Sequence, residues 1–382
     1  MPWNRESPME QRGRLIADWL QGNYNKSQLS RIYGVSRPTV DKWIRRYEAA
    51  GWTGLEEHSR SPHRHPNQTP EALVEKLIAL KLKHPSFGPK KLISRLAQSE
   101  PEQAWPAPST AGEWLKKEGL VTPRKKKRRT AQYTDPFLSC DQPNQVWSAD
   151  YKGQFRTGDG RWCYPLTISD NCSRYLLACR SVRGTDYDAA RGWFEWAFRE
   201  YGLPDAIRTD NGVPFASTAL GGLSKLSVWW IKLGIQPERI KRGRPDQNGR
   251  HERMHKTLKE ATAKPPKRNQ QEQQRAFNHF VREYNEQRPH EALSMKTPSQ
   301  CYYASARQYP EKEPELEYSG MEHIRRVRHN GEVRWRGRTV YVSEVLRKEP
   351  VGLKRNEQDE WELYYGPIYL GRLNETTLKW SP

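Results

Sequence analysis

Cysteine is scarce in this chain: five residues in 382, at Cys140, Cys163, Cys172, Cys179 and Cys301, odd in number and without a C-x-x-C spacing. That argues against a disulfide framework and a thiolate zinc set, and reads as reduced core thiols in a cytosolic protein. Long apolar runs are missing too. None approaches the ~18 residues of a membrane span, and the N-terminus lacks the apolar segment of a secretory signal. No GxxxxGK[ST] motif occurs, so no nucleotide cofactor is expected. Negative charge is in deficit, with 45 Asp and Glu against 65 Lys and Arg and a net charge of +20. An excess of that size, spread over most of the chain, points to a polyanion partner, with nucleic acid as the leading candidate.

What is abundant narrows this further. The 15 Trp and 18 Tyr imply packed cores and surfaces on which bases can stack, which a disordered basic tail lacks. At 382 residues the chain can hold two to four domains with their own cores. The patterning predicts a multidomain protein: two N-terminal all-α helix-turn-helix modules, an α/β core and a C-terminal small β-barrel.

Residues 8–55 read as three short helices. The first, Gln11 to Gln21, carries Leu15, Ile16, Trp19 and Leu20 as a stripe and stops at Gly22. The second, Ser27 to Tyr33, stops at Gly34. The third has Ser36 as N-cap, Pro38 in its first turn, and Val40, Trp43, Ile44 and Tyr47 at core spacing. Its other face shows Arg37, Thr39, Lys42, Arg45 and Arg46. A tight glycine turn followed by a helix with a basic outer face is the helix-turn-helix arrangement, whose second helix enters the major groove. Arg37, Thr39, Lys42 and Arg46 are the expected DNA contacts.

The stretch 51–70 is rich in Ser, Pro, His and Arg and reads as a linker, with His58, His63 and His65 solvated rather than bound to metal. Residues 70–122 repeat the helical pattern: Leu73, Leu77 and Leu80, a break at Gly88-Pro89, then Leu92, Ile93 and Leu96, then Thr110 to Glu118 closed by Gly119. This is the second, winged helix-turn-helix. A basic linker, 123–139, follows. Its Arg124, Lys125, Lys126, Lys127, Arg128 and Arg129 are suited to neutralising phosphates along a duplex.

Residues 140–305 hold the candidate chemistry. Asp150 lies in a strand-like run with Val146, Trp147, Tyr151 and Phe155, where a carboxylate is costly to bury unless it is paired or binds a cation. Strand composition returns at Trp162 to Ser169 and Arg174 to Val182, joined as a hairpin, and Thr185 to Tyr201 is an amphipathic helix. A short strand at Ala206 and Ile207 stops at Asp210, before the Asn211-Gly212 turn, and a helix is expected near 217–233. After Gly249, helix formers from Arg250 to Ala261 put Glu252, Lys256 and Lys259 on one face. Alone, that face is an ordinary solvated Glu-Lys pair. Two acids on strands and one on a helix, taken together, make an all-oxygen site suited to Mg²⁺ or Mn²⁺. His251 and His255 share a helix face but have no third soft ligand, so they read as structural or phosphate-contacting.

Three antiparallel strands followed by alternating helix and strand is the order of a ribonuclease-H-like α/β domain. A helix over 272–288, with Phe277, Phe280, Val281 and Tyr284 inward, closes it. The acidic PEKEPELE stretch then separates 320–382, whose alternation and Asn330-Gly331 hairpin turn predict the small β-barrel. Its Arg325, Arg326, Arg328, Arg334, Arg336 and Arg338 are further candidate DNA contacts.

VWSAD ending in Asp150, RTDNG containing Asp210 and PDQNGRHERMHKTLK containing Glu252 resemble the DDE motif of insertion-sequence transposases with a retroviral-integrase-type core. The resemblance extends to the N-terminal helix-turn-helix with its WTGLEEHSRSP tail and to AFNHFVREYNEQRPHEAL at 276–293. It implies that Asp150, Asp210 and Glu252 bind two Mg²⁺ ions, for which Mn²⁺ can substitute. It also implies that Lys259 contacts the transposon end near the cut phosphate, with Lys256 on the same face. The expected partner is double-stranded DNA, both terminal repeats and target, bound by a homo-oligomer in the bacterial cytoplasm in association with the nucleoid.

The expected function is metal-dependent strand cleavage and strand transfer by in-line phosphodiester exchange. The alternatives are a non-catalytic, sequence-specific DNA-binding regulator of the same fold and a nuclease that cuts without joining. One departure from the family pattern stands out: Asp210 and Glu252 are farther apart than is common, and the extra length fits a loop at Gly221-Gly222. Asp246 lies nearer the usual spacing, but in the loop before the helix. Glu252 is therefore preferred, with Asp246 as its rival.

Overall fold

The computed structural model describes residues 7–57, 68–121, 140–151, 153–240 and 249–381. Met1–Gln68 and Thr69–Pro382 are separate compact units. In the first, α1 (Pro8–Leu20), α2 (Lys26–Ile32) and α3 (Arg37–Ala50) close on Leu15, Ile16, Leu29, Val40, Trp43 and Ile44. α1 starts earlier than its apolar stripe indicates because Ser7 and Glu10 form a capping box, as Asn25 and Gln28 do for α2. Ser36 does sit at the α3 N-cap position, but its hydroxyl meets the Thr39 hydroxyl at 2.9 Å rather than a backbone N–H. Gly34 turns between α2 and α3 with φ +61°, a conformation that favours glycine. A single 3₁₀ turn, Gly51–Leu55, returns Leu55 to this core.

In the second unit, α4 (Glu71–Lys83), α5 (Pro89–Ser99) and α6 (Pro108–Lys117) pack around Leu77, Phe87, Leu92, Leu96, Ala111 and Leu115. No strand accompanies them among the described residues up to 121, so the expected wing is not found there. The six cations of 124–129 and His58, His63 and His65 lie outside the described residues. The three helices dock on the α/β core. The His84 ring stacks on Phe87 at 4.6 Å, its Nδ1 is 3.0 Å from Glu283 Oε1, and Arg288 Nη1 donates to Ser86 Oγ at 2.9 Å.

The core comprises β1 (Val146–Tyr151), β2 (Phe155–Arg156), β3 (Trp162–Asp170), β4 (Leu176–Val182), α7 (Tyr187–Tyr201), β5 (Ala206–Thr209), α8 (Lys225–Lys232), β6 (Gln236–Arg239), α9 (Gly249–Thr262) and α10 (Gln270–Arg282). The main path across the sheet is β4-β3-β1-β5-β6, with the short β2 paired to the start of β3. β4, β3 and β1 are antiparallel, whereas β1, β5 and β6 are parallel, the ribonuclease-H-like arrangement anticipated from element order. One face buries Trp147, Ala149, Leu166 and Ile168 against Phe194, Phe198 and Trp230 of α7 and α8. The other packs Cys163, Leu176 and Cys179 against Met254 and Leu258 of α9 and Phe277 and Phe280 of α10. Of the five cysteines only Cys163 and Cys179 are buried, so the reading of core residues holds for these two alone.

α10 also closes the open edge of β4, which would otherwise present unpaired backbone groups. Gln274 accepts from Ser181 N at 2.7 Å and donates to Cys179 O at 2.9 Å. A π turn, Glu283–Gln287, follows α10 and contains buried Asn285, which accepts from Leu176 N at 2.9 Å and donates to Leu176 O at 3.0 Å.

The C-terminal strands are β7 (His323–Arg326), β8 (Glu332–Trp335), β9 (Arg338–Tyr341), β10 (Pro350–Arg355), β11 (Trp361–Tyr365), β12 (Ile368–Asn374) and β13 (Lys379–Ser381). Their pairing gives a five-stranded sheet, β13-β12-β11-β10-β7, and a separate β8-β9 hairpin. The sheets are open, where a closed barrel was expected; Val333, Trp335 and Val340 of the hairpin instead pack against Leu353, Trp361 and Leu363 of the sheet. Asn330-Gly331 does turn the chain, with Gly331 N donating to Arg328 O at 3.0 Å. The β8-β9 hairpin, however, reverses at Arg336-Gly337, with φ +46° and +81°. Replacing Asn285 with Ala should strand both backbone groups of Leu176 and lower stability by about 2 kcal/mol. Urea denaturation tests this, and an unchanged midpoint would mean that water replaces the amide.

Candidate metal and nucleic-acid site

The β-pleat sorts the residues of β1 between two faces. Trp147 and Ala149 point into the apolar layer under α7 and α8, so Ser148 and Asp150 point to the α9 side. There Ser148 Oγ donates to Asn171 Oδ1 at 3.0 Å, and Asp150 Oδ2 lies 3.6 Å from His255 Nδ1. The parallel register pairs Ala149 with Thr209. Asp150 and Asp210, the next residues on each chain, therefore stand side by side at the carboxyl ends of β1 and β5, where open α/β sheets present groups to ligands.

Asp150 is 9% exposed and Asp210 is half-buried. Asp210 Oδ1 accepts from Gly212 N at 3.0 Å. A Cβ at residue 212 would come within 3.1 Å of Asp210 Oδ2, so glycine lets the loop fold back on the carboxylate.

α9, which carries Glu252, packs on the same side of the sheet. His251, Met254, His255 and Leu258 are buried, while Glu252, Lys256 and Lys259 are exposed on its outer side. The helix is seated through Thr167, which faces Asp150 across the β1-β3 ladder. Its hydroxyl donates to Asp150 O at 3.1 Å and lies 2.7 Å from His251 Nε2 and 2.6 Å from His255 Nε2. Ser169 Oγ is 3.1 Å from His251 Nδ1.

With 2% and 1% exposure, the two histidines are structural and do not face a phosphate. Sequence reasoning passed over Thr167 and Ser169. The available signal was the match between two histidines at helical i, i+4 spacing and two hydroxyls at strand i, i+2 spacing. Among the described residues, no three His, Cys, Asp or Glu side chains converge closely enough to hold a metal ion. The two aspartates are neighbours on the sheet, whereas the Glu252 carboxylate is turned outward. Asp246 lies outside the described residues.

On α3, Arg37 and Lys42 are exposed and Thr39 is half-buried. Arg46 is engaged elsewhere: its guanidinium lies 4.7 Å over Trp43 and donates to Glu56 O at 2.5 Å, tying down the turn after α3. In the second unit, Thr167→Val should leave buried imidazole nitrogens without their shared partner and cost about 2–4 kcal/mol. Hydrogen exchange should rise over 249–262 more than over α7; an equal rise would show that Thr167 does not seat α9 specifically.

The sheet order and flanking helices define a ribonuclease-H-like α/β domain, and sequence comparison places an integrase core domain on it. The Integrase core domain family matches residues 141–245 and again 233–298. A Homeodomain-like domain matches 39–115 and a Helix-turn-helix domain matches 11–63. The chain is 26% identical over 237 residues to an uncharacterized 31.7 kDa protein of insertion element IS407 from Burkholderia multivorans, covering 62% of this chain and 82% of that protein. It is 26% identical over 291 residues to an uncharacterized 39.2 kDa protein of insertion element IS476 from Xanthomonas euvesicatoria, covering 75% and 80%. The HTLV-2 integrase catalytic core domain, solved in complex with magnesium, aligns at 18% identity over 43% of this chain and 99% of that one, with a TM-score of 0.34. The chain thus carries an integrase core domain behind N-terminal helix-turn-helix domains, and it is similar to proteins of bacterial insertion elements. Among the described residues, no helix is long and apolar enough to cross a membrane.

Proposed function

We propose that this protein binds transposon ends and carries out metal-dependent strand cleavage and strand transfer. The observation that carries the reading is the β1-β5 register, which sets Asp150 beside Asp210 at the mouth of the sheet, with α9 packed on the same face through His255 and its Glu252 exposed. An all-carboxylate donor set fits a hard cation and offers nothing to a soft one. Asp150, Asp210 and Glu252 would hold the Mg²⁺ or Mn²⁺, two ions on the family pattern. When bound, the metal supplies activation of the attacking hydroxyl and neutralises charge on the leaving oxygen.

The protein's own groups do the rest. Thr167 and His255 hold the Asp150 strand and α9 together. Lys256 and Lys259 offer exposed cations to the phosphates flanking the cut. Exchanging one phosphodiester for another conserves bond energy, so the reaction needs no nucleotide. In this reading 8–55 and 70–122 grip the end DNA, 123–139 tracks its backbone, 140–305 cuts and joins, and 320–382 adds arginine contacts. The active form is a homo-oligomer on DNA, working on the nucleoid in the bacterial cytoplasm.

The test combines purified protein, labelled end DNA from the flanking repeats, a target plasmid and Mg²⁺ or Mn²⁺. Joined products should form with the natural chain and fall by at least ~10²-fold in Asp150→Asn, Asp210→Asn and Glu252→Gln, the scale expected when a metal ligand is lost. Asp246→Asn should stay active; if it alone abolishes joining, the third ligand is Asp246. Tight end binding with neither cleavage nor joining would favour the regulator.

A further inference from the structure

A basic surface outside the carboxylate site is built from two segments far apart in sequence. The β2-β3 tip carries Arg156, Arg161 and Trp162, and the segment after α9 carries Lys264, Lys267 and Arg268, all exposed. They are joined through backbone, with Gly158 N donating to Lys267 O at 2.9 Å and Asp159 N to Arg268 O at 2.7 Å. A side chain at Gly158 would meet the Arg268 backbone at 3.1 Å, so glycine permits this close approach. The Arg156 guanidinium lies 4.8 Å over the Trp162 ring, which is still 42% exposed. The tip's acid, Asp159, is exposed; it accepts from Thr157 Oγ1 at 2.5 Å and from Arg161 N at 3.3 Å, and its Oδ2 lies 3.8 Å from Arg161 Nε, so Arg161 is partly neutralised and Arg156, Lys264, Lys267 and Arg268 carry the patch.

Two independent rulers relate this patch to the carboxylates. α9 runs along β3, with its His255 at Thr167 and its Leu258 in the cluster that holds Cys163. From Glu252 to Thr262 the helix advances about 15 Å at 1.5 Å per residue. From Thr167 back to Trp162 the strand spans about 17 Å. Lys256 and Lys259 lie between, on the exposed side of the same helix, with Lys256 3.8 Å from Glu260 Oε1. One strand of duplex DNA advances about 3.4 Å per phosphate, so that interval corresponds to about four to five nucleotides.

We propose that the β2-β3 tip and the 264–268 segment form a second phosphate-binding site. It holds the backbone of the transposon-end duplex about four to five nucleotides from the phosphate positioned at Asp150 and Asp210. This rests on the transposase reading above and adds a contact that fixes the angle at which the end enters.

The test measures end-duplex affinity against salt for the full chain and for Lys267→Glu/Arg268→Glu, with Lys267→Gln/Arg268→Gln as a milder pair. These side chains are exposed and the inter-segment bonds are made by backbone, so thermal midpoints should not move. Affinity should fall roughly tenfold to a hundredfold at 0.1 M salt, with the salt dependence shallower by about two contacts. Neutral methylphosphonate linkages at the fourth and fifth nucleotides should weaken the natural chain and leave the variants unaffected. Unchanged affinity in both variants, or equal sensitivity to neutral linkages at every position, would overturn the inference. If the natural chain cuts and joins ends while the variants bind as tightly as it does, only this inference fails. If the natural chain neither binds nor cuts ends, the transposase reading fails with it.

Discussion

One threonine hydroxyl organises the centre of this molecule. Thr167 touches the backbone of Asp150 and the rings of His251 and His255, so a single buried group locks the first acid's strand to the helix that carries Glu252. Such a network matters more than its bond count because each buried nitrogen is expensive to leave without a partner. Seating α9 this way consumes its inner face, leaving Glu252, Lys256 and Lys259 outward.

The same division between inner and outer faces recurs in α3. There Arg46 is spent on Trp43 and the Glu56 carbonyl and Lys42 also reaches over the Trp43 ring at 4.8 Å, while Arg37 remains toward solvent. A basic residue on the outer face of a helix-turn-helix is thus not automatically a DNA contact, because stacking and carbonyl pairing compete for it. The amides of α10 and the π turn after it show a related economy. Gln274 and Asn285 complete the hydrogen bonds of the β4 edge, and the helix closes the sheet without adding a strand.

Much of the architecture was legible in the chain because it rests on local rules. The stripe Leu15, Ile16 and Trp19, the glycine turn at Gly34 and the strand run around Val146 each signalled their element through spacing alone. Other features were not legible because they depend on partners distant in sequence. The hairpin reversal at Arg336-Gly337 has no strong turn signature, since Arg336 takes a positive φ that its residue type disfavours. Closure of the C-terminal strands could not be read from alternation, which reports which face is buried and says nothing of whether the end strands meet. Within the site, the acids could be nominated from sequence, but the burial of the two histidines between them could not.

The sequence by itself determined the inventory: which segments are helical or extended, where charge accumulates, and which acids, Asp150, Asp210 and Glu252, stand out as candidates. Those properties follow from periodicity, turn chemistry and residue type, which act over a few residues. Tertiary structure alone decided the parallel register that makes Asp150 and Asp210 neighbours, the docking of α9 through Thr167, and the union of the β2-β3 tip with Lys267 and Arg268. Strand pairing and helix seating are settled by contacts between residues tens to more than a hundred positions apart, and no local pattern records them.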